Sequence, residues 1–356
     1  MAEQKEAHPL RALEFFSGVG GWHYALAAST LPCTVVGAFE LNPNANAVYA
    51  HNFPKPAPRQ CNIETLQLSE LDAFAADIWV MSPPCQPFTR LGKRKDIDDH
   101  RTDSCLALLG QLPRMQRPPR YLLLENVQGF EESEMRRRLL AILQGEGYRI
   151  EEFLLDPRQL GIPNARLRYY AMALRDVHTK PSEPPALQRR PPRVPAGGLR
   201  KLSEFLEPEP EAAPCENSFA VPDKVLSQSG GCVDIVMRDS AHTTCFTKSY
   251  SQYAKGTGSV LASACTSQAA ASKLLGWSAE EYHRFCAKDV YGPGHAEGSD
   301  SLEVPRGLTL LRELRLRYFS PREVANLMGF PVAFSFPDSV RAVLGVWPAV
   351  WCPLSL

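Results

Sequence analysis

The chain has 356 residues, and its 39 Lys and Arg residues balance its 39 Asp and Glu residues. This length suggests roughly two domains. The balanced charge means that the chain as a whole is not basic, so net charge alone does not indicate a nucleic-acid partner. No apolar run approaches the ~20 residues of a membrane span and the N-terminus lacks a signal-peptide pattern, so we expect a protein inside the cell, with the cytoplasm as the first candidate compartment and the nucleus as the second. The ten cysteines include no C-x-x-C pair, which predicts reduced thiols and no metal site.

The first half of the chain alternates apolar strand candidates with amphipathic helical stretches. This pattern is typical of an α/β fold with a doubly wound, mostly parallel sheet. The predicted strands are 10–16, 33–40, 78–82, 121–126, 150–155 and 169–174, and the predicted helices between them include 22–29, 45–51 and 134–146.

The second half suggests a further, smaller domain. We predict a first domain over 10–178, a linker over 179–214 that contains nine prolines, and a small loop-rich domain over 215–310. Residues 311–338 are expected to return to the first domain, and 339–356 form a tail. Within the return we predict a strand at 311–319 and a helix at 321–330.

The segment FFSGVGGWHYAL (15–26) places a glycine turn between a predicted strand and a helix. Glycines let the backbone approach a ligand closely, and a helix start offers free N–H groups. Glu40 ends the next strand about 20 residues on, where a carboxylate can accept hydrogen bonds from both ribose hydroxyls of a nucleoside. The spacing is not G-x-G-x-x-G, which argues against a pyrophosphate-containing cofactor and a nicotinamide oxidoreductase.

The segment MSPPCQPFTR (81–90) follows a predicted strand, at the edge where open α/β sheets place their active sites. Prolines on both sides of Cys85 restrict the backbone and hold the thiol in place, which suits a nucleophile better than a buried structural cysteine. A thiolate can attack carbon 6 of cytosine and make carbon 5 nucleophilic enough to take a methyl group from a sulfonium donor. An amino-group methyltransferase is disfavoured, because its comparable loop has no cysteine at this position.

Two further segments supply polar groups for such chemistry. YLLLENVQGF (121–130) ends a strand in Glu125, whose carboxyl in a partly apolar site could keep a proton for nitrogen 3 of cytosine. LGIPNARLRYYAMAL (160–174) carries Arg166 and Arg168 two residues apart in an extended segment, so both guanidinium groups share one face. Solvated surface arginines and an acid that caps a turn are the simpler interpretations.

Taken together, PPCQPF, ENV and the R-x-R pair resemble the cytosine-5 methyltransferase family over roughly residues 10–174. The resemblance implies a class I S-adenosylmethionine-dependent methyltransferase that flips its target base out of a helix. It implies Cys85 as the nucleophile, Glu125 as the acid that contacts the base, and Arg166 with Arg168 as groups that orient cytosine. The residues it implies for S-adenosylmethionine binding are Phe16, Ser17, Gly18, Val19, Gly20, Gly21, Glu40, Ile63, Glu64, Ser82 and Pro83.

One branch of the family matches in more detail. TTCFTKSYSQYAKGTGSVL (243–261) and PFTRLGKRKDIDDHRTDS (87–104) resemble the branch that methylates the anticodon loop of aspartate transfer RNA. This resemblance makes tRNA the expected substrate and DNA the second candidate. A basic stretch of Lys93, Arg94, Lys95 and Arg101 could follow phosphates on either nucleic acid. Cys245 is interpreted as a packed cysteine of the recognition domain.

The C-terminal end departs from the family pattern. PREVANLMGFPVAFSFPD (321–338) resembles the family's penultimate motif, but SVRAVLGVWPAVWCPLSL (339–356) stands where an RYRLLGNS-like segment is expected to close the cofactor pocket. A catalytically impaired, nucleic-acid-binding protein is therefore a third interpretation.

Overall fold

The computed structural model of the chain describes residues 8–84, 103–176, 186–208, 219–229, 233–267, 270–271 and 311–338. Cys85, the basic stretch from Lys93 to Arg101 and the tail 339–356 lie outside these residues, so the predictions made for them stay predictions. Within the described part of the chain, no helix combines the length and the apolar character needed to cross a membrane.

A seven-stranded, mostly parallel sheet forms the centre of the molecule. Its strands are β1 (Leu10–Phe15), β2 (Cys33–Glu40), β3 (Arg59–Gln60), β4 (Ile78–Met81), β5 (Tyr121–Val127), β6 (Tyr148–Leu155) and β7 (Arg168–Arg175). They lie in the order β3-β2-β1-β4-β5-β7-β6. Only β7 runs antiparallel to its neighbours β5 and β6 within this sheet. The predicted α/β class and the mostly parallel sheet are confirmed.

Seven helices lie entirely within the described part of the chain, and Leu226 of the sixth is buried against the second sheet described below. They are α1 (Gly21–Ala28), α2 (Pro43–Asn52), α3 (Leu68–Phe74), α4 (Asp103–Leu109), α5 (Glu134–Gly145), α6 (Asp223–Ser229) and α7 (Pro321–Leu327). Successive strand residues point to opposite faces of the sheet, so the side chains of β1 belong to two different buried clusters. Leu13 and Phe15 belong to one buried cluster, whereas Ala12 belongs to a second one that includes Trp22 and Leu26 of α1.

A second sheet has three strands, β8 (Asp234–Val236), β9 (Ser259–Ala262) and β10 (Leu316–Arg317), in the order β10-β9-β8. A further buried cluster connects it with the large sheet, because it contains Val19 and Val48 of the first region together with Phe246, Leu261 and Phe319. This shared core fixes the segment around Phe246 against the helices that follow β1 and β2.

Residues 186–208, in the proline-rich segment, pack against both regions. Gln188 exchanges backbone hydrogen bonds of 2.8 and 2.9 Å with Leu154 and Glu152 of β6. Leu202 and Phe205 are buried in the cluster that joins the two sheets. The domain boundaries themselves stay a prediction.

The prediction of a strand over 311–319 is wrong for its first part. Residues 311–313 are helical, and only Leu316–Arg317 form a strand. The alternation of Leu314, Leu316 and Tyr318 suggested a strand, but Leu311 and Leu314 are both buried and lie three residues apart, as one face of a helical turn requires. The helix predicted over 321–330 is α7, which ends earlier, at Leu327.

Candidate active site

The predicted site residues that the structure describes gather at one edge of the large sheet. The glycine turn follows β1, Glu40 ends β2, Ser82 follows β4, and Glu125 lies near the end of β5. Since these four strands are parallel, their carboxyl ends meet at the same edge, which is where open α/β sheets bind ligands.

The glycine turn has a backbone that side chains rarely allow. Phe16, Gly18 and Gly20 have positive φ angles of 52, 53 and 92°. A Cβ on Gly20 would also lie 3.0 Å from the Phe53 ring and 3.1 Å from that of Tyr49. The turn therefore depends on glycine at position 20, and α1 begins directly after it with N–H groups that have no partner within the helix.

The Glu40 carboxylate is fixed by backbone donors on both oxygens. Gly18 N–H donates to Oε2 at 3.0 Å, and Asn42 N–H donates to Oε1 at 2.8 Å. Each oxygen keeps a further lone pair, so the carboxylate can still accept from a ribose diol. Ser17 directly precedes Gly18 in the glycine turn. Its hydroxyl oxygen is buried and has no hydrogen-bond partner among the described residues.

The remaining predicted cofactor residues lie on neighbouring segments. Ser82 Oγ accepts a 3.0 Å hydrogen bond from the Trp22 indole, and the Pro83 carbonyl accepts one of 3.4 Å from the Asn126 side chain. Glu64 Oε1 accepts a 2.6 Å hydrogen bond from Ser104. Ile63 is buried in the core.

Like Ile63, Val19 has a buried side chain. Its side chain is fully buried in the cluster that joins the two sheets, so only its backbone can face a ligand. Gly21, which follows Gly20, is the first residue of α1 and is buried. Taken together, the glycine turn, the orphaned Ser17 hydroxyl and the diol acceptor Glu40 fit a nucleoside cofactor without a phosphate.

Glu125 is a buried acid beside two arginines. It is 3% exposed, and its Oε1 lies 3.4 Å from Arg168 Nε without accepting a hydrogen bond from any described residue. Burial raises the pKa of the Glu125 carboxyl, and the charges of Arg168 and Arg166 offset part of that rise. The direction agrees with the predicted role, since a raised pKa keeps a proton available for donation.

Arg166 and Arg168 are buried rather than solvated, with 3% and 8% exposure. Arg166 Nη1 lies 3.6 Å from the Cys245 sulfur, and Arg168 Nη2 lies 3.7 Å from it. The prediction that the two guanidinium groups share one face is therefore confirmed, because both reach the same atom.

Cys245, interpreted from the sequence as a packed cysteine of the recognition domain, contacts the predicted site. Its side chain is partly exposed and contacts both arginines of the site. Burial raises the pKa of the Cys245 thiol, but the charges of Arg168 and Arg166 outweigh this effect, so the pKa is lower than that of an ordinary thiol. The Cys-Phe-Thr resemblance was the signal in the sequence, yet it gave no reason to place this cysteine beside the arginines.

A second buried acid lies beneath the glycine turn, and the sequence analysis missed it. Tyr49 donates a 3.0 Å hydrogen bond to Glu14 Oε2, and His23 Nδ1 lies 2.8 Å from the same hydroxyl. Burial raises the pKa of Glu14 to about 8, and the Tyr49 hydrogen bond opposes part of the rise. Burial also lowers the pKa of His23 to about 4. Among the described residues, no cluster of His, Cys, Asp and Glu side chains is suited to holding a metal ion.

Comparisons with known proteins agree with this geometry. The model of the family described as C-5 cytosine-specific DNA methylase matches residues 10–344. A human protein named tRNA (cytosine(38)-C(5))-methyltransferase is 34% identical over 389 residues, which cover 93% of each chain. A Dictyostelium discoideum protein named DNA (cytosine-5)-methyltransferase is 31% identical and covers 94% of this chain and 88% of its own. The crystal structure of a Spodoptera frugiperda DNMT2 mutant superposes with a TM-score of 0.73 at 34% identity, covering 97% of this chain and 96% of that one.

Proposed function

The chain belongs to the family of C-5 cytosine-specific DNA methylases, and from this membership we propose that it methylates carbon 5 of a cytosine in tRNA. Methyltransferases of this family use S-adenosylmethionine as the methyl donor. The observation that carries the proposal is the convergence of the buried Glu125 carboxyl, whose pKa is raised, with Arg166 and Arg168 at the sheet edge that also holds the glycine turn.

S-adenosylmethionine fits the glycine-turn side of this edge. Glu40 would accept hydrogen bonds from the ribose hydroxyls, and the turn from Phe16 to Gly21 would face the donor with its backbone. Ile63 and Glu64 would flank the adenine, whereas Ser82 and Pro83 would line the methionine end. When bound, the donor supplies an electrophilic methyl group on a sulfonium centre.

The reaction needs a nucleophile that activates the ring, and we assign this role to Cys85. Its thiolate adds to carbon 6 while Glu125 hydrogen-bonds or protonates nitrogen 3, which moves electron density onto carbon 5. Carbon 5 then takes the methyl group and loses its own proton to a base. The thiolate leaves as the double bond between carbons 5 and 6 reforms, and nitrogen 3 returns to Glu125 any proton that it received. The assignment rests on the PPCQPF sequence, which continues directly from the described Ser82 and Pro83.

Arg166 and Arg168 hold the cytosine for this attack. Their guanidinium groups are planar donors, buried and aligned toward one atom, so they lose little freedom when they bind the polar edge of a base. Arg168 also keeps positive charge 3.4 Å from Glu125. This contact limits the rise of the Glu125 pKa that burial causes.

Transfer RNA is the proposed substrate, with cytosine 38 the proposed target and aspartate tRNA the first candidate. The support is the printed activity of the human relative and the resemblance of residues 243–261 to the tRNA-methylating branch. An unpaired base in an RNA loop also costs less to extrude than a base inside a duplex. The Dictyostelium relative makes DNA the second candidate.

The test measures transfer of tritium from labelled S-adenosylmethionine to total tRNA and to double-stranded DNA. We expect labelled tRNA with wild-type protein and none with Cys85→Ala, while Cys33→Ala, which removes a partly buried thiol at the start of β2, at the other end of that strand from Glu40, keeps activity. Labelled DNA with unlabelled tRNA would reverse the choice of substrate. If neither is labelled, calorimetric titration with S-adenosylmethionine separates an impaired enzyme that still binds the cofactor from a binding protein that does not.

A further inference from the structure

A large aromatic side chain is exposed to solvent in the segment that follows Cys245. Tyr253 is 66% exposed, although most aromatic residues of this region are buried, Phe246 and Tyr250 among them. The segment that carries it starts two residues after Cys245, whose sulfur contacts Arg166 and Arg168. A single exposed apolar side chain is common on protein surfaces, and what distinguishes Tyr253 is the braced loop that carries it and the two lysines on the same loop.

The loop 247–257 holds this side chain on a braced backbone. Its two ends are joined by a 2.9 Å hydrogen bond from Thr247 N–H to the Thr257 carbonyl. The Thr257 hydroxyl donates to the Tyr253 carbonyl at 2.6 Å, and Tyr253 N–H donates to Ser249 at 3.2 Å. The ring is therefore presented by fixed main-chain atoms, so little order has to be gained when a partner binds.

A buried tyrosine anchors the same loop to the rest of the molecule. The Tyr250 hydroxyl donates to the Ser259 carbonyl at 2.6 Å and accepts from Phe319 N–H at 3.0 Å. Its ring packs against Phe246 at 5.0 Å and lies so close to Gly258 that a Cβ there would be 2.6 Å away. Tyr253 lies eight residues after Cys245, so its backbone stays within about 29 Å of the cysteine that contacts the arginine pair.

The charge around the tip favours a polyanion. Lys248 and Lys255 are both exposed on the loop, and residues 240–279 contain no Asp or Glu. Proteins that bind single-stranded nucleic acid combine such cations with exposed aromatic rings on which bases stack. A duplex keeps its bases stacked on each other, so a single exposed ring suits an unpaired base of an RNA loop.

We propose that Tyr253 stacks on an unpaired base next to the target cytosine in the substrate RNA, with Lys248 and Lys255 placed to neutralise neighbouring phosphates. Moving the cytosine into the site removes a stacking partner from its neighbours, and the fixed ring replaces it. This inference rests on the proposed tRNA substrate and adds to it a residue that selects single-stranded RNA.

The test compares three substitutions of one side chain. Base–aromatic stacking corresponds to roughly 5- to 150-fold in affinity per base. We expect Tyr253→Ala to raise the KM and Kd for tRNA within that range, with the loss in KM rather than in kcat. Tyr253→Phe keeps the ring and should restore wild-type affinity, whereas Tyr253→Leu keeps apolar area alone and should not. The matched control is Leu31→Ala, which removes a 41% exposed apolar side chain just before β2, at the opposite edge of the sheet.

Two further readouts separate the inference from the proposed function. Lys255→Ser should lower the slope of log Kd against log salt by about 0.7, and Lys255→Arg should leave it unchanged. Ultraviolet cross-linking of wild-type protein to tRNA should attach a nucleotide at Tyr253. A wild-type enzyme that methylates tRNA while Tyr253→Ala has the same KM would overturn the stacking role and leave the function intact. If the wild type methylates no tRNA, equal tRNA affinity of wild type and Tyr253→Ala overturns the stacking role, whereas the expected loss supports it and refutes only the activity.

Discussion

The acid beneath the glycine turn gives the fold a pH dependence that one substitution should remove. Glu14 is fully buried, and burial raises its pKa from 4.5 to about 8. Between these two values the folded protein keeps a proton that the unfolded chain releases. The contribution of Glu14 to stability is therefore complete below the unfolded pKa and is lost as the pH rises through the folded pKa.

The size of the effect follows from the width of this interval. A pKa difference of about 3.5 units corresponds to about 5 kcal/mol of unfolding free energy, at 1.36 kcal/mol per unit. The glutamine of Glu14→Gln stays uncharged at every pH, so the variant does not lose the stability that wild type loses when Glu14 ionises. We expect the free energy of unfolding of Glu14→Gln, relative to wild type, to rise by several kcal/mol between pH 5 and pH 8.

Urea denaturation followed by circular dichroism at several pH values measures this difference. Subtracting wild type from variant cancels the titration of all other groups, and Glu132→Gln supplies an exposed carboxyl as the control. The control should show a difference close to zero that does not change with pH. A Glu14→Gln difference that is equally flat from pH 5 to pH 8 would refute the argument that this buried carboxyl holds a proton in the folded state.

Three further substitutions test other parts of the structure. Gly20→Ala introduces a Cβ 3.0 Å from the Phe53 ring at a φ of 92°. The KM for S-adenosylmethionine should therefore rise at least tenfold while the KM for tRNA stays the same. Equal shifts of the two KM values would contradict a local effect. Glu125→Gln should lower kcat by roughly 10²- to 10⁴-fold. It should also abolish the fall of kcat at alkaline pH that we expect for wild type above the ordinary carboxyl range. An unchanged fall of kcat in the variant would exclude Glu125 as the acid. Arg136→Ala leaves the fully buried Glu152 without its two 2.6 Å hydrogen bonds and should cost about 3–5 kcal/mol in urea denaturation, whereas a loss below about 1 kcal/mol would mean that the pair is not desolvated.

The large sheet could be predicted from the sequence because most of its strands are rich in apolar residues. The strands predicted over 33–40 and 78–82 agree with β2 and β4 to within one residue. β3 was missed, because Arg59 and Gln60 are two exposed polar residues without periodicity and are strand only through their pairing with Phe39 and Glu40. A strand of this kind exists only through its pairing with a neighbouring strand, and the local sequence does not show that pairing.

The site shows the same division between local and tertiary information. Glu125 could be predicted because it lies near the end of β5, and parallel order brings the ends of β1, β2, β4 and β5 together. The arginines reach the same edge because β7 runs antiparallel to β5, so that its start meets the end of β5. Cys245 could not be placed, since its contact with Arg166 joins residues 79 positions apart, across two sheets. Glu14 lies in an apolar strand as one acid among hydrophobic neighbours, and only packing shows that Tyr49 accompanies it.

The central claim is covalent attack on cytosine by the Cys85 thiolate, and a trapping experiment tests it most directly. In tRNA that carries 5-azacytidine at the target position, the ring nitrogen at position 5 blocks the elimination that normally releases the enzyme. With S-adenosylmethionine present, mass spectrometry of the digested complex should find the nucleotide attached to the peptide that contains residue 85, and Cys85→Ala should give no complex. A wild-type protein that methylates ordinary tRNA yet attaches the analogue elsewhere, or not at all, would contradict the mechanism.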